Sequence, residues 1–260
     1  MTAREVVDLI KKNSGIQWNE RSVRDTFKMG DPDAEVRGIA TTMMSTFDML
    51  KRANQADLNF VITHEDTWWN DRDDTQDLAA NPLYLKKAEF IQKNGMVIWR
   101  DHDGMHAMKE DYTVTATLRA IGVKGGENSN MHPPALPFPE TTLGEFASEV
   151  KRVSGIRAIR CVGDPKAKVG KVLFGPGYAT PRMTPDTDVV IGGEQQEADG
   201  AFDNVEYVAD AASLGIPKGL LMLGHVVSEQ PGMEDFARFL QTFIKGIPIQ
   251  FVPAEEPFWT

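Results

Sequence analysis

Three short apolar runs in this chain end in side chains that can bind metal. Residues 58–63 run into His64-Glu65-Asp66. Residues 96–99 run into Asp101, His102, Asp103 and His106. Residues 220–223 run into Gly224-His225, with Glu229 four residues further on. Mixed imidazole and carboxylate donors suit Zn, Mn, Fe, Co or Ni. Two such ions about 3.5–4 Å apart can hold a bridging hydroxide and clamp both oxygens of a displacement. A metal-bound water brought towards pKa ~7 is itself the nucleophile, so such chemistry needs no Ser or Cys nucleophile. Glu194, after its paired glycines, is the candidate general base or supporting carboxylate. His102 is the candidate to orient a ligand or shuttle a proton.

Each motif also has a bland reading. Adjacent strand residues point to opposite faces. His64 and Glu65 therefore reach one site only if the strand has already ended, which polar Asp66-Thr67 signals. His225 and Glu229 have i, i+4 spacing and on a helix would resemble half of a zinc-protease signature. Gly224 and Pro231 bracket that segment, so the expected placement is His225 topping a strand and Glu229 near a helix start. The His102–His106 pair alone is also compatible with a surface turn. His132 lies in a proline-rich stretch and reads as exposed, while Trp68 and Trp69 read as packing. Cys161, the single cysteine, reads as a small buried hydrophobe.

The elements that must position these groups follow from caps and periodicity. Capping-box spacing at Thr2–Glu5, Ser45–Asp48 and Thr142–Glu145 predicts three helix starts. The first opens the chain, the second runs to about Ala56 and the third to about Val153. The stretch through Gly30 to Asp33 reads as loop, and residues 36–43 as a strand. Strand, helix and strand then follow within thirty residues, which favours parallel pairing through a right-handed crossover. Residues 70–81 read as an exposed acidic loop. Pro82 opens a helix to about Lys93, closed by Gly95. A further helix covers residues 113–121 and stops at Gly122. Residues 156–162 and 169–174 read as a strand pair around Gly163-Asp164-Pro165. Strands at 189–191 and 220–223 flank a helix over 205–214. A last helix runs from near Pro231 to about Lys245.

Alternating strands and helices make an α/β protein. The expected architecture is two α/β lobes with mostly parallel or mixed sheets flanked by helices. The expected division is residues 1–124, a linker over 125–140 and a second lobe over 141–260. In open parallel sheets, sites form beyond the carboxyl ends of strands. All three donor-bearing runs end that way, which predicts one metal site between the lobes.

Composition limits the partners. The 260 residues are 41% apolar, enough for a sizeable core, and the net charge is -10. An acidic chain is a poor electrostatic partner for nucleic acid or anionic membrane. No apolar run approaches the ~20 residues that span a bilayer. The first residues lack the layout of a signal peptide, and one cysteine cannot form an intramolecular disulfide. The expected location is the cytoplasm.

Four segments resemble the NGG-interacting-factor-three-like family, whose members are often labelled GTP cyclohydrolase I type 2 homologues. They are Gly30-Asp31-Pro32-Asp33-Ala34-Glu35-Val36, Val61-Ile62-Thr63-His64-Glu65, Asp188-Val189-Val190-Ile191-Gly192-Gly193-Glu194, and residues 224–232 beginning Gly224-His225. The resemblance implies two divalent transition metals held by three histidines and two carboxylates, inside a hexameric ring. His64, His225 and Glu229 match the family's ligands directly. Glu65 stands where the family usually has a second histidine, and His106 where it usually has aspartate. The two exchanges compensate, so the implied ligand set is His64, Glu65, His106, His225 and Glu229. Residues 176–188 leave little room for the family's usual helix, and Thr41-Thr42-Met43 lacks its acidic residue. The implied activity is metal-dependent hydrolysis of a small, nucleotide-like substrate. The alternative is a non-enzymatic, metal-binding oligomeric scaffold or regulator, favoured by the absence of any clear substrate-binding motif. The apolar tail, with Phe251, Phe258 and Trp259, is the expected oligomer contact.

Overall fold

The structure, a computed structural model, describes residues 1–127, 129–195 and 203–259. The chain divides into two compact units: Met1–Lys109 with Met233–Glu255, and Glu110–Gly232 with Glu256–Thr260. The first boundary thus lies ahead of the expected 125–140 linker.

In the first unit, five strands are ordered β1-β4-β3-β2-β10. They are β1 (Phe27–Met29), β2 (Ile39–Thr42), β3 (Phe60–Thr63), β4 (Val97–Arg100) and β10 (Ile249–Phe251). The last four are parallel, in register Thr41 to Ile62 to Trp99 at mid-strand, and β1 pairs antiparallel at the edge. Every residue of β2, β3 and β4 is buried, as strands covered on both faces must be. On one face Ala40, Val61 and Ile98 pack with Met49, Leu50 and Ala53 of α2 (Phe47–Gln55) and with Ala88 and Ile91 of α3 (Pro82–Lys93).

The caps explain the helices. Thr2 and Glu5 form the full reciprocal box on α1 (Ala3–Asn13). Asn81 caps α3 with its side chain, and Gly95 follows in a left-handed conformation, φ +59°. α2 is capped by Thr46, which accepts the Met49 N–H, rather than by Ser45; the Ser45 hydroxyl instead donates to Thr67. Two short elements lie where loop or no element was expected: β1, and α4 (Asp103–Ala107). The acidic stretch 70–81 contains a 3-10 turn, Gln76–Leu78, and is not wholly exposed, because the Asp73 side chain is buried against Lys28.

The second unit's sheet is ordered β5-β7-β8-β9-β6. Its strands are β5 (Leu136–Thr142), β6 (Arg160–Gly163), β7 (Lys168–Gly175), β8 (Val189–Gly192) and β9 (Gly219–Met222). The central three are parallel and the two edges antiparallel. One face of β8 and β9 (Val189, Ile191, Leu221) packs with α5 (Tyr112–Ala120) and α6 (Leu143–Ser154) through Val114, Leu118, Phe146 and Val150. The other face (Val190, Leu220, Met222) packs with Val208 of α7 (Asp203–Ser213).

Four expectations for this unit change. Residues 136–140 of the expected linker belong to β5, an edge strand whose register shifts between Pro137 and Thr141; prolines are tolerated at such an edge. β6 and β7 are both strands but do not pair; β6 lies at the far edge beside β9. Cys161 is consequently exposed rather than buried. The last helix, α8 (His225–Phe243), starts six residues before Pro231 and carries that proline inside it. Proline removes the helical donor for the carbonyl four residues back, Val227. Beside it, the Thr117 hydroxyl of α5 donates to the Ser228 carbonyl at 2.8 Å. Gly232 lets the backbones approach, since a Cβ there would meet Thr113 N at 2.7 Å.

Candidate functional site

The first unit gathers three imidazoles at the carboxyl ends of β3 and β4. His64 follows β3 and is fully buried. His102 is the N-cap residue of α4, and the His106 N–H donates to the His102 carbonyl at 3.1 Å. That single helical turn puts both rings on one face. The His64 and His102 rings stack with centroids 4.7 Å apart, and the His106 ring lies edge-on at 4.9 Å and 4.7 Å. Each of the three offers a ring nitrogen, and these nitrogens lie within 4.8 Å of one another.

The turn that carries His102 and His106 is held from 77 residues away. Asp25 Oδ1 accepts the N–H groups of His102 and Asp103, and Oδ2 accepts that of Gly104. A carboxylate so placed satisfies the donors that a helix start leaves open. Asp103 bonds His102 Nδ1 at 3.0 Å and is itself held by the Ser22 hydroxyl and by Arg24. Arg100, fully buried at the end of β4, donates Nε to the His64 carbonyl, Nη1 to the Asp71 carbonyl and Nη2 to Glu65 Oε2 at 2.7 Å. Glu65 Oε1 lies 3.6 Å from His102 Nε2.

Burial and crowding set the charges. Burial holds the His64 imidazole well below its usual pKa, and the neighbouring His102, His106 and Arg100 push the same way. His102 is lowered to about 4, chiefly by burial and then by His106. Both rings are therefore neutral at pH 7, the form that binds metal. Burial, reinforced by Asp25, drives the Asp101 carboxyl well above its usual range. Asp101 Oδ1 is buried with no hydrogen-bond partner among the described residues.

The second unit sets one imidazole between two carboxylates. β9 ends at Met222 and α8 begins at His225, so His225 and Glu229 lie one turn apart on a helix. This is the helical arrangement that Gly224 and Pro231 argued against. His225 Nδ1 is 2.7 Å from Glu194 Oε1, and Nε2 is 3.2 Å from Glu229 Oε2. Glu229 is buried, His225 half-buried and Glu194 exposed. Glu194 is held at its backbone, where its N–H donates to the Gly177 carbonyl at 2.7 Å. The Ser228 hydroxyl donates to the His225 carbonyl and accepts the Gly177 N–H. The exposed Tyr178 ring flanks His225 at 6.4 Å.

Of the residues singled out from the sequence, His64, Glu65, His102 and His106 come together in the first unit. His225, Glu229 and Glu194 come together in the second. His102 stands among the donors themselves. Asp25, Asp101, Asp103 and Arg100 complete the first cluster. Asp101 and Asp103 are among the polar groups that end the 96–99 run, and Arg100 is a charge as the last residue of a buried strand, whereas Asp25 carried no local signal. His132 is exposed and Trp68 is buried against Tyr84, whereas Trp69, read as packing, is exposed, at φ +61°.

The residues fit a metal. His64 Nδ1 bonds the Asp101 carbonyl at 3.1 Å, His102 Nδ1 bonds Asp103, and His225 Nδ1 bonds Glu194. An oxygen beside Nδ1 fixes the proton there and presents the Nε2 lone pair, the usual support of a metal-binding histidine. No helix among the described residues is long and apolar enough to cross a membrane.

A family model, Duf34/NIF3 (NGG1p interacting factor 3), matches residues 1–257. No curated protein sequence matches the chain. Among solved structures, Staphylococcus aureus hypothetical protein SA1388 is similar with a TM-score of 0.75 at 15% identity, covering 100% of this chain and 99% of that one. A Bacillus cereus protein related to NIF3 is similar at TM-score 0.70 and 14% identity, with coverage of 100% and 99%. Reduced HcgD from Methanocaldococcus jannaschii is similar at TM-score 0.66 and 16% identity, with coverage of 97% and 98%. At these identities the structural likeness speaks for the fold.

Proposed function

We propose, from the premise that this chain belongs to the Duf34/NIF3 family, that it binds divalent transition metals and uses them to hydrolyse a small substrate. The observation that carries the reading is the shared posture of three histidines. In each, Nδ1 is bonded to an oxygen, so Nε2 is the donor. The ligands in this reading are His64, His106, His225, Glu65 and Glu229, with His102 added because its ring stands within the same cluster. Imidazole-rich donors favour Zn, Co, Ni or Fe over Mg or Ca. The reading takes two ions and a hexameric ring from the family resemblance, and a nucleotide-like molecule as the first substrate class to test. The exposed Phe258 and Trp259 side chains support a contact between copies.

When bound, the metal supplies a Lewis acid and a water acidified towards neutrality. The chain's own residues do the rest. Asp103 and Glu194 keep protons on His102 Nδ1 and His225 Nδ1. Arg100 holds Glu65 by one oxygen and keeps the other beside the imidazole cluster, where it can serve as the metal-binding oxygen.

The test is metal content of the purified protein by mass spectrometry, wild type beside His225→Ala, followed by turnover on a broad panel of small substrates. About two equivalents in the wild type, a clear loss in the variant, and metal-dependent turnover are expected. Metal without turnover on any substrate would leave the scaffold reading standing. No metal after reconstitution would end both.

A further inference from the structure

The His225–Glu229 pair faces a bare piece of backbone. Gly177 sits in a left-handed conformation, φ +53°. A Cβ built there would lie 2.5 Å from Glu229 Oε1 and 2.9 Å from His225 Nε2. Those two atoms are the donors themselves, so a side chain at 177 fits only by displacing them. They have little room to give. His225 is tied at Nδ1 to Glu194, and the Glu229 side chain is only 4% exposed.

Gly177 is equally fixed. Its N–H donates to Ser228 Oγ at 2.9 Å and its carbonyl accepts from Glu194 N at 2.7 Å. Ser228 also bonds the His225 carbonyl. A Cβ at Gly193 would collide with Ser228 Oγ and with the Gly177 backbone, so that glycine is needed for the clasp to close. Both polar groups of Gly177 are therefore spent on holding the loop against α8. What it presents to the donor pair is an absence of side chain.

We propose that Gly177 is the positioning residue of this donor pair: the volume its missing side chain leaves is where a metal ion held by His225 and Glu229 sits. The inference rests on the metal reading above and adds what sets the room for the ion. It also separates two reasons for a glycine. A left-handed backbone alone would be a turn requirement, whereas the close donor atoms make it a requirement of the site.

The experiment compares Gly177→Ala with Gly215→Ala. Gly215 has φ +72° in the same unit, and a Cβ there meets nothing within 4 Å. Both variants carry the left-handed strain; only one fills the space. Co(II) affinity is measured by calorimetry, with thermal unfolding as the fold control. Gly177→Ala should lose at least about tenfold in affinity, while Gly215→Ala binds as the wild type. Wild-type affinity in Gly177→Ala, or an equal loss in Gly215→Ala, overturns this inference while the metal reading stands. Failure of the wild type to bind Co(II) sinks both. Should Gly177→Ala not fold, Gly177→Asn repeats the measurement, since Asn accepts the left-handed region more readily.

Discussion

The first unit collects three imidazoles in a buried cluster, whereas the second sets one imidazole between two carboxylates nearer solvent. The difference shows two ways to prepare a cation site. In the first, burial and mutual repulsion keep His64 and His102 neutral, so no proton need leave before metal binds. In the second, negative charge recruits the cation and the imidazole is oriented by one of the charges. The first arrangement selects borderline metals by ligand type, while the second attracts cations generally and is more exposed to salt.

Removing a donor should break the comparison most strongly. His64→Ala takes away the only fully buried imidazole among the described residues. The expected loss of Zn(II) or Co(II) affinity exceeds the ~100-fold that marks the upper range for supporting partners. Chelator competition measures it. A loss below tenfold would mean that the three rings form a packed histidine cluster and nothing more.

Removing a supporting carboxylate should sharpen it. Asp103→Asn is expected to weaken metal binding by roughly 10–100-fold, because Asp103 joins His102 to Ser22 and Arg24. Glu194→Gln should lie near the lower end of that range: its carboxylate is half exposed, and an amide oxygen still accepts from Nδ1. Equal losses at both positions would show that burial does not separate the two sites.

Local signals in the sequence account for much of the fold. Asn81-Pro82 and Gly95 define α3 at both ends, and the Thr2 and Thr142 boxes place α1 and α6. Donors at strand ends were legible because a buried strand that stops in His, Glu or Asp has few structural reasons to do so. What escaped was non-local. α4 is five residues long and depends on Asp25, which precedes β1. The edge positions of β5 and β6 are set by pairing that no local pattern encodes. Pro231 reads as a helix start, so local pattern predicts a shorter α8, while the Thr117 hydroxyl and the Gly232 contact that accompany the proline are tertiary. The same proline signal places His225 on a strand end and Glu229 near a helix start, whereas both lie on one face of α8.

Stability against pH extends the contrast with smaller effects. In the first unit, Lys87 is buried, and burial lowers its ammonium from 10.5 to about 8. Its Nζ donates to the Thr67 carbonyl at 2.7 Å and lies over the Trp68 ring. The unfolded chain binds this proton more tightly, so its contribution to stability rises from about pH 8 to 10.5. Lys87→Met should flatten that alkaline rise in urea unfolding. The net change at pH 7 should be small, because the unpaired carbonyl, worth about 1–3 kcal/mol, is offset by relief of the buried charge. An unchanged slope would show that another group titrates.

The second unit should respond at the opposite end of the scale. Glu145 closes the capping box on α6, and bonds from the Thr142 hydroxyl, the Thr142 N–H and the Thr141 hydroxyl lower its carboxyl from 4.5 to about 2. A depressed acid stabilises fully above its unfolded pKa and loses that contribution as pH falls from about 4.5 towards 2. The group is exposed, so the effect is the smallest of the series. Glu145→Gln should reduce the acid-side slope, to which other depressed carboxyls such as Asp48 and Asp71 also contribute, while leaving the alkaline rise from Lys87 intact, and Lys87→Met should do the reverse. A variant that altered both slopes would show that the two titrations are not independent, and the comparison of the units would have to be redrawn with them as one cooperative element.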